Sequence, residues 1–110
     1  MRKRTIAVLL AVTVAAAVAA PALAVTKVTG TVGPGFTISM KKPTKAGKYT
    51  LVVSDKSSIH NFHLKGPGVN VKTSVAAVGS KTFKITLKKG KYTFVCDPHA
   101  SVMKGSFTIK

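Results

Sequence analysis

KTFKITLKKGKYTFVC, residues 81–96, decides the fold. Phe83, Ile85 and Leu87 alternate with Thr82, Lys84 and Thr86. After the Lys89-Gly90 turn, Tyr92, Phe94 and Cys96 fall on one face in the same way. An apolar residue at every second position reads as a strand with one buried face, because successive side chains point to opposite sides of a sheet. Two such runs joined by a short glycine turn read as a hairpin.

The same reading extends outward in both directions. VTKVTGTV (25–32) is rich in β-branched residues, and FTISM (36–40) puts Phe36, Ile38 and Met40 on one face. YTLVVSD (49–55), SIHNFHL (58–64) and KGSFTIK (104–110) continue the pattern, with Phe107 and Ile109 inward. Gly33-Pro34-Gly35, the 41–48 stretch and Gly66-Pro67-Gly68 are breaks. Residues 69–80 read as an irregular excursion or a short helix. About seven short strands with frequent turns predict an all-β sandwich or barrel.

The chain opens MRKRTIAVLLAVTVAAAVAAPALA. A basic start at Arg2, Lys3 and Arg4 precedes an apolar run over 6–20 and a small-residue exit, Ala22-Leu23-Ala24. This predicts a signal peptide over 1–24, removed after Ala24. The run is too short, too alanine-rich and too close to Pro21 for a spanning helix. The expected localisation is therefore extracytoplasmic, whether periplasmic, cell-surface or secreted. A single domain over 25–110 follows, small enough to need a staple such as a disulfide or a metal. With Cys96 as the only cysteine, an internal disulfide is impossible and a metal remains.

Eighteen Lys+Arg against two Asp+Glu give a formal charge of +16. The leader holds three of the basic residues, so 25–110 carries 15 lysines against Asp55 and Asp97, a net +13. Such a field attracts an acidic protein or an anionic cell-envelope surface. Nucleic acid is not expected: the lysines are scattered and 25–110 has no arginine for base readout. A monomer is expected.

Cys96 begins CDPHASVM (96–103), a C-x2-H-x3-M string on a loop between two strands. Thiolate, imidazole and thioether are soft or borderline metal ligands. A loop bending Cys96, His99 and Met103 inward leaves one position for a neighbouring segment, and SSIHNFHL offers His60 and His63. On a regular strand these two point to opposite faces, so only one can join. Two histidines and a cysteine with a weak axial methionine is the blue-copper arrangement.

These residues resemble the cupredoxins, in particular the small plastocyanin-, pseudoazurin- and amicyanin-like proteins. The resemblance rests on His60-Asn61 and on the string Tyr92-x-Phe94-x-Cys96-x-Pro98-His99-x3-Met103-x-Gly105. In strand pattern it covers essentially all of 25–110. It implies a cupredoxin-like Greek-key β-sandwich holding one copper ion through His60, Cys96, His99 and Met103, because the family's upstream histidine is followed by asparagine. It implies that Asn61 bonds toward the ligand loop near Asp97. It also implies single-electron transfer through the exposed edge of His99, ringed by Gly66, Pro67, Ala100 and Val102, to an acidic redox partner. Pro98 lacks an N–H and cannot donate to the sulfur. Asp97 reads as a surface acid or a partner for Lys56 or Lys104.

Other chemistries fit less well. Structural zinc sites favour four strong ligands and rarely include methionine. A Cys–His nucleophile needs an orienting third group and an oxyanion site, so no enzyme is expected. The chain has three histidines, too few for further copper centres. The serious alternative is a copper-binding carrier that shuttles no electrons, but with Met40 and Met103 alone after the leader there is no Met-rich tract of the kind a labile carrier site would use.

Overall fold

The computed structural model describes residues 24–110, so the expected signal peptide lies almost wholly outside the described residues. Eight strands form: β1 (Thr26–Val32), β2 (Ile38–Met40), β3 (Gly47–Asp55), β4 (His63–Gly66), β5 (Val69–Lys72), β6 (Gly79–Leu87), β7 (Gly90–Val95) and β8 (Lys104–Ile109). They make two four-stranded sheets, ordered β2-β1-β3-β6 and β5-β4-β7-β8. β1 and β3 run parallel, and every other pair is antiparallel. The chain changes sheets at β3–β4, β5–β6 and β6–β7, which makes the all-β sandwich that the alternation predicts. No helix among the described residues is long and apolar enough to cross a membrane.

The inward positions pack as read. Leu51, Val53, Ile85, Leu87, Tyr92, Phe94, Phe107 and Ile109 are buried between the sheets. Phe62 stacks on Phe94 at 5.7 Å between ring centroids, and Tyr92 on Phe107 at 5.3 Å. Gly105 pairs with Phe94, and a Cβ there would run into the Phe94 ring. Glycine is required at that position by this close approach.

Four local expectations change. Residues 81–96 do not form a hairpin: β6 pairs with β3 in one sheet and β7 with β4 and β8 in the other, so the Lys89-Gly90 turn crosses between the sheets instead of joining paired strands. Residues 69–80 are neither helix nor wholly irregular: Val69–Lys72 pairs with β4 across the Gly66-Pro67-Gly68 turn, which adds the eighth strand. Only Val69 of that strand is buried, so its alternation carried little signal. Residues 60–62 are not in a strand, which begins at His63. Phe62 instead bonds Thr73, its N–H donating to Thr73 Oγ1 at 2.8 Å and its carbonyl accepting from Thr73 N–H at 2.9 Å. Phe36 lies outside β2 and is 59% exposed, whereas Ile38 and Met40 turn inward.

All strands run between two ends. The pairs Val32–Asp55–Gly79 and His63–Val95 mark one end, and Gly47–Leu87 and Gly90–Ile109 mark the other. The loops at the first end carry the candidate ligands.

Candidate metal centre

Cys96 follows β7 directly and keeps the inward direction of Tyr92 and Phe94, fully buried. A single 3-10 turn, Asp97–His99, then reverses the chain. Pro98 suits the start of such a turn, since its missing N–H would be unpaired there. The loop is bonded to itself. His99 N–H donates to Cys96 O at 3.0 Å, Met103 N–H to His99 O at 2.8 Å, and Cys96 N–H to Met103 O at 3.0 Å. Met103 is completely buried within the same core cluster as Cys96.

His60 arrives from the β3–β4 connection and is buried. Its Nε2–H donates to Gly35 O at 2.7 Å. That bond settles the tautomer and leaves Nδ1 as a lone pair facing inward. His60 Nδ1 lies 3.7 Å from Cys96 Sγ, His99 Nδ1 lies 3.5 Å from it, and the two Nδ1 atoms are 3.1 Å apart.

These distances test the fit of a metal. The circle through a triangle with those three sides has a radius of about 2.0 Å, and metal–imidazole bonds measure ~2.0–2.1 Å. Two imidazole nitrogens at 3.1 Å also need a cation or a proton between them. Among the described residues, His60, Cys96 and His99 are the one group of three or more His, Cys, Asp or Glu side chains with donor atoms all within 4.8 Å of one another. A thiol with two imidazoles suits copper.

The surroundings bind the two segments together. Asn61 Nδ2–H donates to Asp97 Oδ2 at 2.8 Å, and Asp97 N–H donates to Asn61 Oδ1 at 2.8 Å. Asn61 also donates from Nδ2 to Thr73 O at 3.3 Å. Its backbone N–H points at Cys96 Sγ, 3.4 Å away. This places Asn61 as the resemblance implies.

His63 is not in the cluster. Its Nδ1–H donates to Asp97 Oδ1 at 2.8 Å, and its Nε2 lies 2.7 Å from Asn70 Oδ1. Asp97 therefore partners Asn61 and His63, not Lys56 or Lys104. Partial burial pulls the Asp97 carboxyl upward, but the hydrogen bonds from Asn61 and His63 and the charges of His63 and Lys72 outweigh it and hold it below the usual carboxylate range.

Phe36 is the residue at the site that sequence reasoning misplaced. Its ring stands edge-on to both histidines, 5.2 Å from His60 and 5.0 Å from His99. Period-two alternation sent it inward, and only the turn at Gly33-Pro34-Gly35 carries it over the site. Gly66 and Pro67, expected around His99, lie at the opposite end. There Tyr92 O–H donates to Pro67 O at 2.7 Å. Ala100 and Val102 do sit exposed beside His99.

A family model of copper-binding proteins, the plastocyanin/azurin family, matches residues 31–110. The chain belongs to this family, the cupredoxins, and copper is the metal of its site. Solved structures of rusticyanin share the fold. Reduced rusticyanin matches with a TM-score of 0.54 at 23% identity, over 76% of each chain. A methionine-to-glutamine mutant of rusticyanin matches with a TM-score of 0.51 at 26% identity, again over 76% of each chain. No curated protein matches the sequence.

Proposed function

We propose that this protein is a blue copper electron carrier working outside the cytoplasm. One copper ion would be held by His60 Nδ1, Cys96 Sγ and His99 Nδ1, with the buried Met103 thioether as a fourth, weaker ligand. The observation that carries the reading is the convergence of one buried thiol and two imidazole Nδ1 atoms. Bound copper supplies the Cu(II)/Cu(I) couple; the chain supplies a cage that need not move when the charge changes by one.

Four features support that rigidity. Gly35 O holds the His60 ring. The Asn61–Asp97 pair ties the upstream segment to the ligand loop. The Asn61 N–H stabilises negative charge on the sulfur. Pro98 leaves the neighbouring loop position without a competing donor. Cys96 is sealed, with 0% exposure, so no substrate reaches its sulfur and a nucleophilic role is unsupported. His99 is the most exposed of the three donors, and its edge beside Phe36, Ala100 and Val102 is the route for the electron. A monomer suffices, since all four ligands come from one chain.

The test is a visible spectrum after Cu(II) addition, cycled with a reductant and an oxidant. An intense thiolate-to-copper band that bleaches and returns is the expected result. Weak colour, or copper retained only as Cu(I), would replace electron transfer with copper carriage or delivery.

A further inference from the structure

The two ends of the sandwich differ in chemistry. At the copper end, the loops expose Phe36, Ile59, Val75, Val78 and Val102, and both carboxylates, Asp55 and Asp97, sit there. The opposite end is built from the β2–β3 loop, the β4–β5 turn, the β6–β7 turn and the end of β8. It presents Lys42, Lys45, Lys48, Lys88, Lys89 and Lys110, all exposed, and no acidic side chain. These segments are neighbours. Lys110 N–H donates to Thr44 O at 3.3 Å. Tyr92 O–H bonds the Pro67 carbonyl and accepts from Lys88 N–H at 2.9 Å, tying two of the turns. Six of the fifteen lysines of 25–110 therefore gather in one cap.

We propose that this lysine cap docks on the anionic surface of a phospholipid bilayer, with the copper end turned away from it. Three observations favour this occupant. Lysine is depleted at the centres of protein interfaces, which use aromatic and arginine anchors; the cap has neither arginine nor an exposed aromatic ring. Four of its charges, Lys42, Lys45, Lys88 and Lys89, sit in two loops that adjoin where Gly47 pairs with Leu87, so they face the same end of the sandwich. The described chain also begins at this end, where Thr26 pairs with Tyr49 at the start of β3. Residues 1–23, with their basic start and apolar run, thus join the domain on its lysine side. Until that segment is removed, as expected after Ala24, it holds the chain to the membrane from the cap side.

Each lysine at an anionic leaflet is worth about fivefold in binding, and the attraction fades within a Debye length, ~8–10 Å. Lysines at the copper end then contribute little. This orientation leaves the His99 edge open to a partner, and it holds whether the copper carries electrons or is only carried.

The experiment is sedimentation of the copper-loaded protein with vesicles of phosphatidylcholine, with and without phosphatidylglycerol. Binding is expected only with phosphatidylglycerol and falls as salt rises. The triple variant Lys45→Gln, Lys88→Gln, Lys89→Gln should bind about a hundredfold more weakly. The triple Lys56→Gln, Lys72→Gln, Lys81→Gln removes equal charge nearer the copper end and should lose less than about fivefold. An unchanged urea midpoint for both triples excludes misfolding as the cause. Equal losses in the two triples would overturn the proposal in favour of undirected net charge. Failure to bind phosphatidylglycerol vesicles, or binding only to a soluble anionic polymer such as dextran sulfate, would overturn it as well. None of these outcomes depends on the redox behaviour of the copper.

Discussion

Residues 96–103 and residues 60–62 both deliver donors to the copper site, and they are held in opposite ways. The first segment closes on itself through bonds three to seven residues apart, from His99 to Cys96, Met103 to His99 and Cys96 to Met103. The second makes its bonds to distant parts of the chain: His60 to Gly35, Asn61 to Thr73 and Asp97, Phe62 to Thr73. A self-bonded loop keeps its shape locally. A segment held only by long-range bonds keeps its shape while the sandwich around it is intact. The site is therefore half local and half tertiary, and the tertiary half is where copper binding and folding are coupled.

The largest effect lies in the local half. Cys96→Ala should abolish the thiolate-to-copper band and reduce copper affinity by more than the ~10–100-fold that outer partners typically cost. A blue spectrum retained by this variant would refute the site. In the tertiary half, Phe62→Ala removes a buried ring stacked on Phe94 and should cost about 3–5 kcal/mol, read from urea unfolding. Copper affinity should fall with it, since His60 and Asn61 are carried by the same segment. A variant that loses stability yet binds copper normally would show the upstream segment to be locally ordered after all.

Asn61→Ala sharpens the comparison because it cuts the link between the halves while leaving every donor in place. Copper affinity should drop ~10–100-fold in a chelator competition, with the blue band retained. His63→Ala should leave the band nearly intact and change stability by less than about 1 kcal/mol, since its partner Asp97 is well exposed. Loss of colour instead would give His63 the role assigned to His60.

The smallest effect is on pH dependence. Asp97 is held below the usual carboxylate range, so the folded state binds its proton less readily than the unfolded chain does. That contribution is fully present above the unfolded carboxylate value, about 3.9, and is lost as pH falls through the lower folded one. Thermal midpoints of the metal-free protein should then fall in acid more steeply for the wild type than for Asp97→Asn. Parallel curves would remove Asp97 from the account.

Much of this was legible in the residues because the signals were local. Strict alternation at Phe83-Ile85-Leu87 and Tyr92-Phe94-Cys96 needs only a two-sided sheet to be read, and the sheets have one face buried. The 3-10 turn at Asp97–His99 adds detail to a loop already expected to bend inward. Alternation failed where no regular strand exists. It put His60 in a strand that begins only at His63, and it sent Phe36 inward from a strand that begins only at Ile38. β5 escaped because an edge strand with one buried residue has little pattern to show.

By itself, then, the sequence determined the two-faced strands, the lone thiol just after β7, and the Cys96-x2-His99-x3-Met103 spacing that it opens, since each depends on neighbours within a few residues. The tertiary structure alone decided how His60 is aimed, through Gly35 O. It also put Asp97 with His63, brought Phe36 over the histidine rings, and placed six of the fifteen lysines together at the end away from the copper. Each of these depends on which distant strands lie side by side, and spacing along the chain carries no record of that.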